Sequence, residues 1–281
     1  MTATTTTTAT TTTAARRPLL FGHRGARGTT PENTLAGFAR ALADGASALE
    51  LDVHRSLDGE VVVFHDDDGG RMANDPRAIE GLDFATVSTW DVGWGFVEGG
   101  QRPFLGRGLK PPRLIDVLRS FPGVPVNIDL KTTDPALREA TVAVIEGHGD
   151  VDRVVLASFY DEVIDAVIDS GCRCRVALAK NAVRALRFLP GIVVSRLLRR
   201  HVQRGGTRVQ VPPQATGIRL DKPSFIKRAH DLGFAVDYWV INDLEQARQL
   251  LERGADGLIT DFPAKLAPLF PSTLLTIEPN P

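Results

Sequence analysis

The sequence predicts an α/β protein that closes into a (β/α)8 TIM-type barrel, and three observations point there. Short apolar, β-branched runs alternate with segments of helical period, the pattern of βα units on a parallel sheet. Eight such runs can be marked, which is the number that closes the barrel. The chain has 281 residues, enough for one barrel of ~250 residues with an insertion, so a second full domain is not required.

In order, the strands are predicted at Leu19 to Gly22, Ala48 to Val53, Val124 to Leu130, Arg153 to Ala157, Arg173 to Leu178, Thr207 to Val211, Ala235 to Val240 and Gly257 to Thr260. After the first, Leu35, Phe38, Ala39 and Leu42 fall on one helical stripe that Gly45 stops. Asp243, with Gln246 three residues on, opens another helix that ends before Gly254. Val61 to Phe64 follows the Asp58-Gly59 turn signal and reads as a further short strand that returns His65 towards the second barrel strand. From Asp66 to Pro112 the alternation gives way to Gly, Pro and aromatic residues, including Trp90, Trp94, Phe96 and Phe104. A stretch this long without barrel period predicts a small insertion subdomain after the second barrel strand region. The barrel is assigned to residues 18–270 with the insertion at 66–112, a disordered Thr-rich tail at 1–17 and a C-terminal tail at 271–281.

Residues 2 to 13 are Thr and Ala only, too polar for the apolar segment of a signal peptide. Arg16 and Arg17, with the first acid at Glu32, faintly resemble a transit peptide, but the barrel begins at Leu19 and leaves little room for one. No apolar run reaches the ~18 residues of a membrane span. Cys172 and Cys174 stand two apart on a predicted strand, where they do not readily bridge, so a reducing, cytoplasmic setting is expected. The net charge of −1 gives no reason to expect a nucleic-acid partner.

The chemistry concentrates in His23-Arg24-Gly25, Glu50-Leu51-Asp52 and His65-Asp66. Residues i and i+2 of a strand share a face roughly 6.6 Å apart, so Glu50 and Asp52 can converge on one hard cation. His23 and His65 are the candidate proton acceptor and donor near neutral pH. Each piece alone is weak, since a strand-end Glu-x-Asp is often a polar sheet edge and a lone His is more often structural. His54 is expected to face away from Asp52, and with His148, His201 and His230 to be structural or on the surface.

These residues occur in order with Pro31-Glu32-Asn33-Thr34, Asn127-Ile128-Asp129-Leu130-Lys131, Ser158-Phe159, Trp239-Val240-Ile241-Asn242 and Ala255-Asp256-Gly257-Leu258-Ile259-Thr260-Asp261. From about Pro18 to Pro263 the chain resembles the glycerophosphodiester phosphodiesterase family. The resemblance implies metal-dependent hydrolysis of a small glycerophosphodiester to glycerol 3-phosphate and an alcohol. It implies one divalent cation, Mg2+ or Ca2+, on Glu50, Asp52 and Asp129, where the family usually has Glu at the last position. It also implies His23 as base, His65 as acid, attack by the substrate's own glycerol hydroxyl, and an insertion that walls the mouth of the site. Arg24 and Lys131 are candidate phosphate ligands or structural ion-pair partners, and Trp239 offers a flat apolar face to the substrate or fills the barrel mouth. Glu32 and Asn33 orient the helix that begins near Thr34, and Glu32 is expected to steady the site.

Two other readings stand beside this one. The first is a lysophospholipase D, with the acyl chain against the aromatic insertion. The second is a catalytically weak protein that binds a polyanion or a membrane. The second draws on the stretch between Asp169 and Asp221, which holds eleven basic residues and no acid. These arginines are either solvated helix faces paired with acids of neighbouring units, or a docking surface for anionic lipid around Arg196, Arg199, Arg200 and Arg204. Oligomeric state is not legible.

Overall fold

The computed structural model describes residues 17–270, and the tails expected at 1–17 and 271–281 lie, apart from Arg17, outside the described residues. The strands are β1 (Leu19–His23), β2 (Ala48–Arg55), β3 (Val126–Leu130), β4 (Val154–Ala157), β5 (Arg175–Val176), β6 (Arg208–Val211), β7 (Ala235–Tyr238) and β8 (Gly257–Thr260). They pair in parallel in the order β5-β4-β3-β2-β1-β8-β7-β6. The ends of that row meet where Ala177 bridges Arg208 and Leu178 N–H donates to the Arg208 carbonyl at 2.8 Å. The predicted (β/α)8 barrel is the observed fold.

Helices cover the outside: α1 (Leu35–Ala43), α2 (Leu114–Ser120), α3 (Pro135–His148), α4 (Asp161–Asp169), α5 (Lys180–Phe188), α6 (Gly191–Leu197), α7 (Arg199–Arg204), α8 (Pro223–Asp231) and α9 (Leu244–Glu252). Their starts follow capping chemistry. Thr34 accepts from Gly37 N–H at 2.9 Å, Asp134 from Ala136 N–H at 2.9 Å, and Asp243 from Gln246 N–H at 2.8 Å. Among the described residues no helix is long and apolar enough to cross a membrane.

Two strands end earlier than predicted. Of the fifth run only Arg175 and Val176 form a ladder with β4, while Ala177 and Leu178 bond on to Arg208 and, with Ala179, line the pocket ahead of α5. The seventh stops at Tyr238, and Trp239 and Val240 likewise turn into the pocket. Cys172 and Cys174 therefore precede a strand rather than lie on one, and both are buried free thiols.

The segment Val61–Val63 runs antiparallel to β2, with Val63 opposite Val53, and delivers His65 as expected. Beyond it, residues 66–112 carry a small hairpin and short helices whose Met72, Ile79, Val87, Trp90 and Val92 form a separate apolar cluster with Val62 and Phe64.

The barrel interior is apolar around Phe21, Ala48 and Ile259, and beside them lies a buried charge pair. Asp237 is fully buried and accepts from both Arg208 Nε and Arg208 Nη2, while Gln210 Nε2 approaches at 3.3 Å. Gly257 faces this pair, and a Cβ there would stand 2.3 Å from Asp237 Oδ1. Removing one partner of such a pair strands the other charge in the barrel. Arg208→Ala should therefore lower unfolding stability by about 3–5 kcal/mol in urea titration, against under ~1 kcal/mol for the exposed Lys227→Ala, whose ion pair with Asp231 is at the surface.

Candidate active site

The site is built by the turn that follows β1. Arg24 and Gly25 have φ of +50° and +88°, which reverse the chain immediately after His23. Gly25 then lies against the backbone of α1, where a Cβ would be 2.6 Å from the Gly37 carbonyl carbon, so glycine is required. The turn also aims Arg24 N–H at Glu50 Oε2, 2.9 Å away. His23 and Arg24 are thereby held over the carboxyl ends of the strands, where barrel sites form.

Across β2 and β3 the register sets Glu50 beside Asn127 and Asp52 beside Asp129. All four side chains are buried and line one pocket of about 620 Å³. Lys131 Nζ sits between two of the carboxylates, 2.7 Å from Asp52 Oδ1 and 2.6 Å from Asp129 Oδ2. Arg24 Nη1 donates to Glu32 at 3.0 Å, while its Nε lies 3.1 Å from Asp52 Oδ2 without being aligned to donate. Asn33 Nδ2 gives Asp52 a hydrogen bond at 2.9 Å.

These neighbours divide the charge unevenly. For Asp52, burial pulls the pKa up, but Lys131 and Arg24 outweigh it and the carboxyl is held low. Glu50 is pushed up to about 7 by burial and by Asp52. Asp129 is pushed up to about 6, since burial and Asp52 prevail over Lys131. Lys131 itself is held above the usual lysine range because Asp52 and Asp129 overcome its burial. Two carboxyls thus remain short of positive charge. Asn127 Oδ1, beside them, is buried without a hydrogen-bond partner.

An oxygen-rich set that is short of cation fits a hard divalent ion. As the side chains stand, no three His, Cys, Asp or Glu residues among the described residues converge into a metal-holding group, and the Lys131 ammonium lies between Asp52 and Asp129. An ion bound there would take over part of the work that Lys131 does in this arrangement.

Both candidate histidines are oriented by carboxylates. His23 Nδ1 is 2.7 Å from Asp261 Oδ1, and Asp261 is in turn held by Asn242 Nδ2 at 2.8 Å. His65 Nδ1 is 2.6 Å from Asp66 Oδ1, whose other oxygen accepts from Arg71 Nε at 2.6 Å. Each pair keeps the Nδ1 proton on the ring and leaves Nε2 as the exchanging nitrogen. Burial lowers the His65 pKa against the opposing pull of Asp52 and Asp66.

His54 corrects an expectation. Residues 52 and 54 share a strand face, so His54 does not face away from Asp52, and its Nε2 meets the His65 carbonyl at 3.1 Å. It is structural, but its place is directly behind His65. His148 and His230 pair with Asp150 and Asp256, and His201 is buried within α7.

Trp239 lines the pocket and also packs on the Phe21, Ala48 and Ile259 layer, so both of its expected roles coexist. Phe159 meets it edge-on at 6.0 Å. The insertion does not wall this pocket, because none of residues 66–112 lines it. The outer wall comes from α5 and from the hairpin around Ala215 and Ile218 instead. The link between the insertion and the site is Arg71, which reaches Glu32 as well as Asp66. Asp261, Asn242, Arg71 and Asn127 were not singled out from sequence as site residues. Asp261 and Asn242 carried a signal, as polar residues just after strands at the mouth, whereas Arg71 carried none.

The family model described as Glycerophosphoryl diester phosphodiesterase family matches residues 23–265. The chain is similar to a probable glycerophosphodiester phosphodiesterase 2 of Mycobacterium tuberculosis, 28% identical over 86% of this chain and 87% of that protein. A lysophospholipase D of Rattus norvegicus is 24% identical over 87% of this chain and 83% of that protein. Among solved structures, an Oleispira antarctica phosphodiesterase in complex with the product sn-glycerol-3-phosphate superposes with a TM-score of 0.67 at 23% identity, covering 89% of this chain and 95% of that one.

Glu32 makes a measurable contribution to the site's stability. Burial would raise its pKa, but the Arg71 hydrogen bond and the charges of Arg24, Arg71 and Arg27 hold it at about 2. A folded pKa below the unfolded ~4.3 contributes stability above that pH, and the contribution is lost as pH falls towards 2. The wild type should lose about 3 kcal/mol through this carboxyl between pH 5 and pH 2, by urea unfolding at each pH. Glu32→Gln should show a correspondingly flatter acid limb, and equal slopes would remove the assignment.

Proposed function

Because this chain belongs to the glycerophosphoryl diester phosphodiesterase family, we propose that it hydrolyses a glycerophosphodiester to glycerol 3-phosphate and an alcohol in the pocket between His23 and His65. The observation that carries this reading is the pair of histidine–carboxylate dyads, His23–Asp261 and His65–Asp66, on one pocket whose floor holds Arg24 and Lys131. Retention of both dyads counts against a catalytically weak binding protein. The relative's product complex with sn-glycerol-3-phosphate names a ligand of the right size for the polar floor.

The glycerol hydroxyl next to the diester attacks phosphorus and gives its proton to His23 Nε2. The alkoxide that departs takes a proton from His65 Nε2, leaving a cyclic phosphate. Water then opens that ring with the two roles exchanged. The lowered pKa makes protonated His65 a stronger donor than a free imidazole. Arg24 and Lys131 add positive charge where phosphoryl oxygens become more negative. Glu50, Asp52 and Asp129 are the residues that would hold one Mg2+ or Ca2+, with the Asn127 carbonyl oxygen beside them, and a bound ion polarises the phosphoryl group. Asp129 is shorter by one methylene than the Glu that the resemblance to the family leads one to expect, and here its Oδ2 is paired with Lys131 Nζ at 2.6 Å.

One observation favours a lysophospholipid as substrate. Beyond the polar floor the pocket is walled by Val183, Phe188, Ala215, Ile218 and Leu220, an apolar arm that a choline or ethanolamine head group does not need. The acyl chain would lie there and not on the insertion. The free, buried Cys172 and Cys174 support placing the protein in a reducing compartment such as the cytoplasm.

His23→Ala and His65→Ala should each reduce turnover of glycerophosphocholine by roughly 100-fold or more. A substrate with a much better leaving group should rescue only the His65 variant, and rescue of His23→Ala instead would reverse the assignment. A chelator should abolish turnover, and Mg2+ or Ca2+ should restore it. The same ion should raise the Tm of the wild type and leave that of Asp129→Ala unmoved, and an equal rise in both would remove Asp129 from the ion site.

A further inference from the structure

The acid-free arginine segment divides in two once its side chains are placed. Arg200 pairs with Asp169, Arg204 Nε donates to the Cys174 carbonyl at 2.9 Å, Arg208 is the internal partner of Asp237, and Arg219 pairs with Asp221. Each of the four has a partner, Arg200 and Arg219 at the surface, so half of the patch expected around Arg196 to Arg204 is already engaged. Arg184, Arg187, Arg196 and Arg199 make no salt bridge among the described residues.

Those remaining arginines share their segment with exposed apolar side chains. α6 buries Val194, with Leu198 one turn on, and turns Ile192, Val193 and Leu197 outward. Phe188, Ile192 and Leu197 are 57%, 67% and 58% exposed. Arg187 lies over the Phe188 ring at 5.1 Å, and Arg228 donates to the Leu189 carbonyl, which adds another cation to the same tip. No acidic residue interrupts the stretch. Large apolar groups in solvent beside arginines whose own stretch of chain holds no acid mark an interaction surface, although Asp161, against the start of α5, and Asp169 beside Arg200 border it.

We propose that the outer edge of α5 and α6 docks on an anionic lipid bilayer. The charge fixes the sign of the partner, and guanidinium suits lipid phosphate in particular. Ile192, Val193 and Leu197 protrude from a short helix rather than line a groove, which suits insertion among acyl chains better than the keyed fit of a protein partner. The surface is continuous with the pocket, because Arg184, Arg187 and Phe188 also line its apolar arm. Docked this way, the arm opens towards the lipid. The docking itself does not depend on the reaction assigned above, and binding and turnover are read separately.

The test is co-sedimentation of the full chain with vesicles of phosphatidylcholine alone or mixed with phosphatidylglycerol, at low and raised ionic strength. Wild type should pellet with the mixed vesicles, remain free with phosphatidylcholine alone, and be released by salt. Arg196→Gln with Arg199→Gln should weaken binding about thirty-fold, near the expectation for two surface cations at an anionic membrane. Ile192→Asp with Leu197→Asp should abolish it. Neither pair lies in the pocket, so hydrolysis of soluble glycerophosphocholine by both should match wild type and reports that they are folded. Wild type that ignores the mixed vesicles at low salt overturns the proposal. So does equal binding to both vesicle types, or wild-type binding by both folded variants.

Discussion

The constraint on which the rest depends is the burial of Glu50, Asp52 and Asp129 at the mouth of a closed barrel. Three carboxylates this far from water repel one another and each carries a desolvation cost. The fold answers with Lys131 between Asp52 and Asp129 and with Arg24 near Asp52. Arg24 can serve there only because the chain turns back at positive φ, and that turn needs Gly25 against α1. The composition of the floor, the shape of the first loop and the position of α1 are parts of one electrostatic solution.

That solution is incomplete by about the charge of one cation. Lys131 serves Asp52 well and leaves Glu50 and Asp129 raised. A phosphodiester approaching this floor meets Glu50 and Asp129 as well as Arg24 and Lys131, so a cation held by those carboxyls would favour its binding. Substrate affinity and cation occupancy are therefore expected to be coupled, with each raising the other by the same factor at equilibrium.

Much of the fold was legible because barrel strands are buried on both faces and read as apolar runs, and β2, with every residue from Ala48 to His54 buried, is the clearest case. β5 was over-read. Arg173 to Leu178 has strand composition, yet only Arg175 and Val176 form a ladder with β4, and beyond them Ala177 makes a single bridge to Arg208. His23, Arg24, His65 and Asp129 stand at or just past strand ends and Glu50 and Asp52 lie within β2, and all of them line the pocket. Arg71 and Arg208 were not legible as partners, since pairings across 39 residues to Glu32 and 29 to Asp237 depend on how loops and strands pack and leave no periodic trace. The wall of the apolar arm was placed on the insertion for the same reason. Aromatic content suggested a lining, but Trp90 is spent on the insertion's own small core.

Arg71 has a further consequence. One half-exposed guanidinium reaches Glu32, which holds Arg24, and Asp66, which orients His65. The insertion that carries it lines no part of the pocket, yet it ties the Arg24 side of the site to the His65 side. The insertion is thus a modular part with a fixed connector. Its exposed surface is free to drift in sequence, provided that Asp66 and Arg71 keep their places and the small core still packs on Val62 and Phe64.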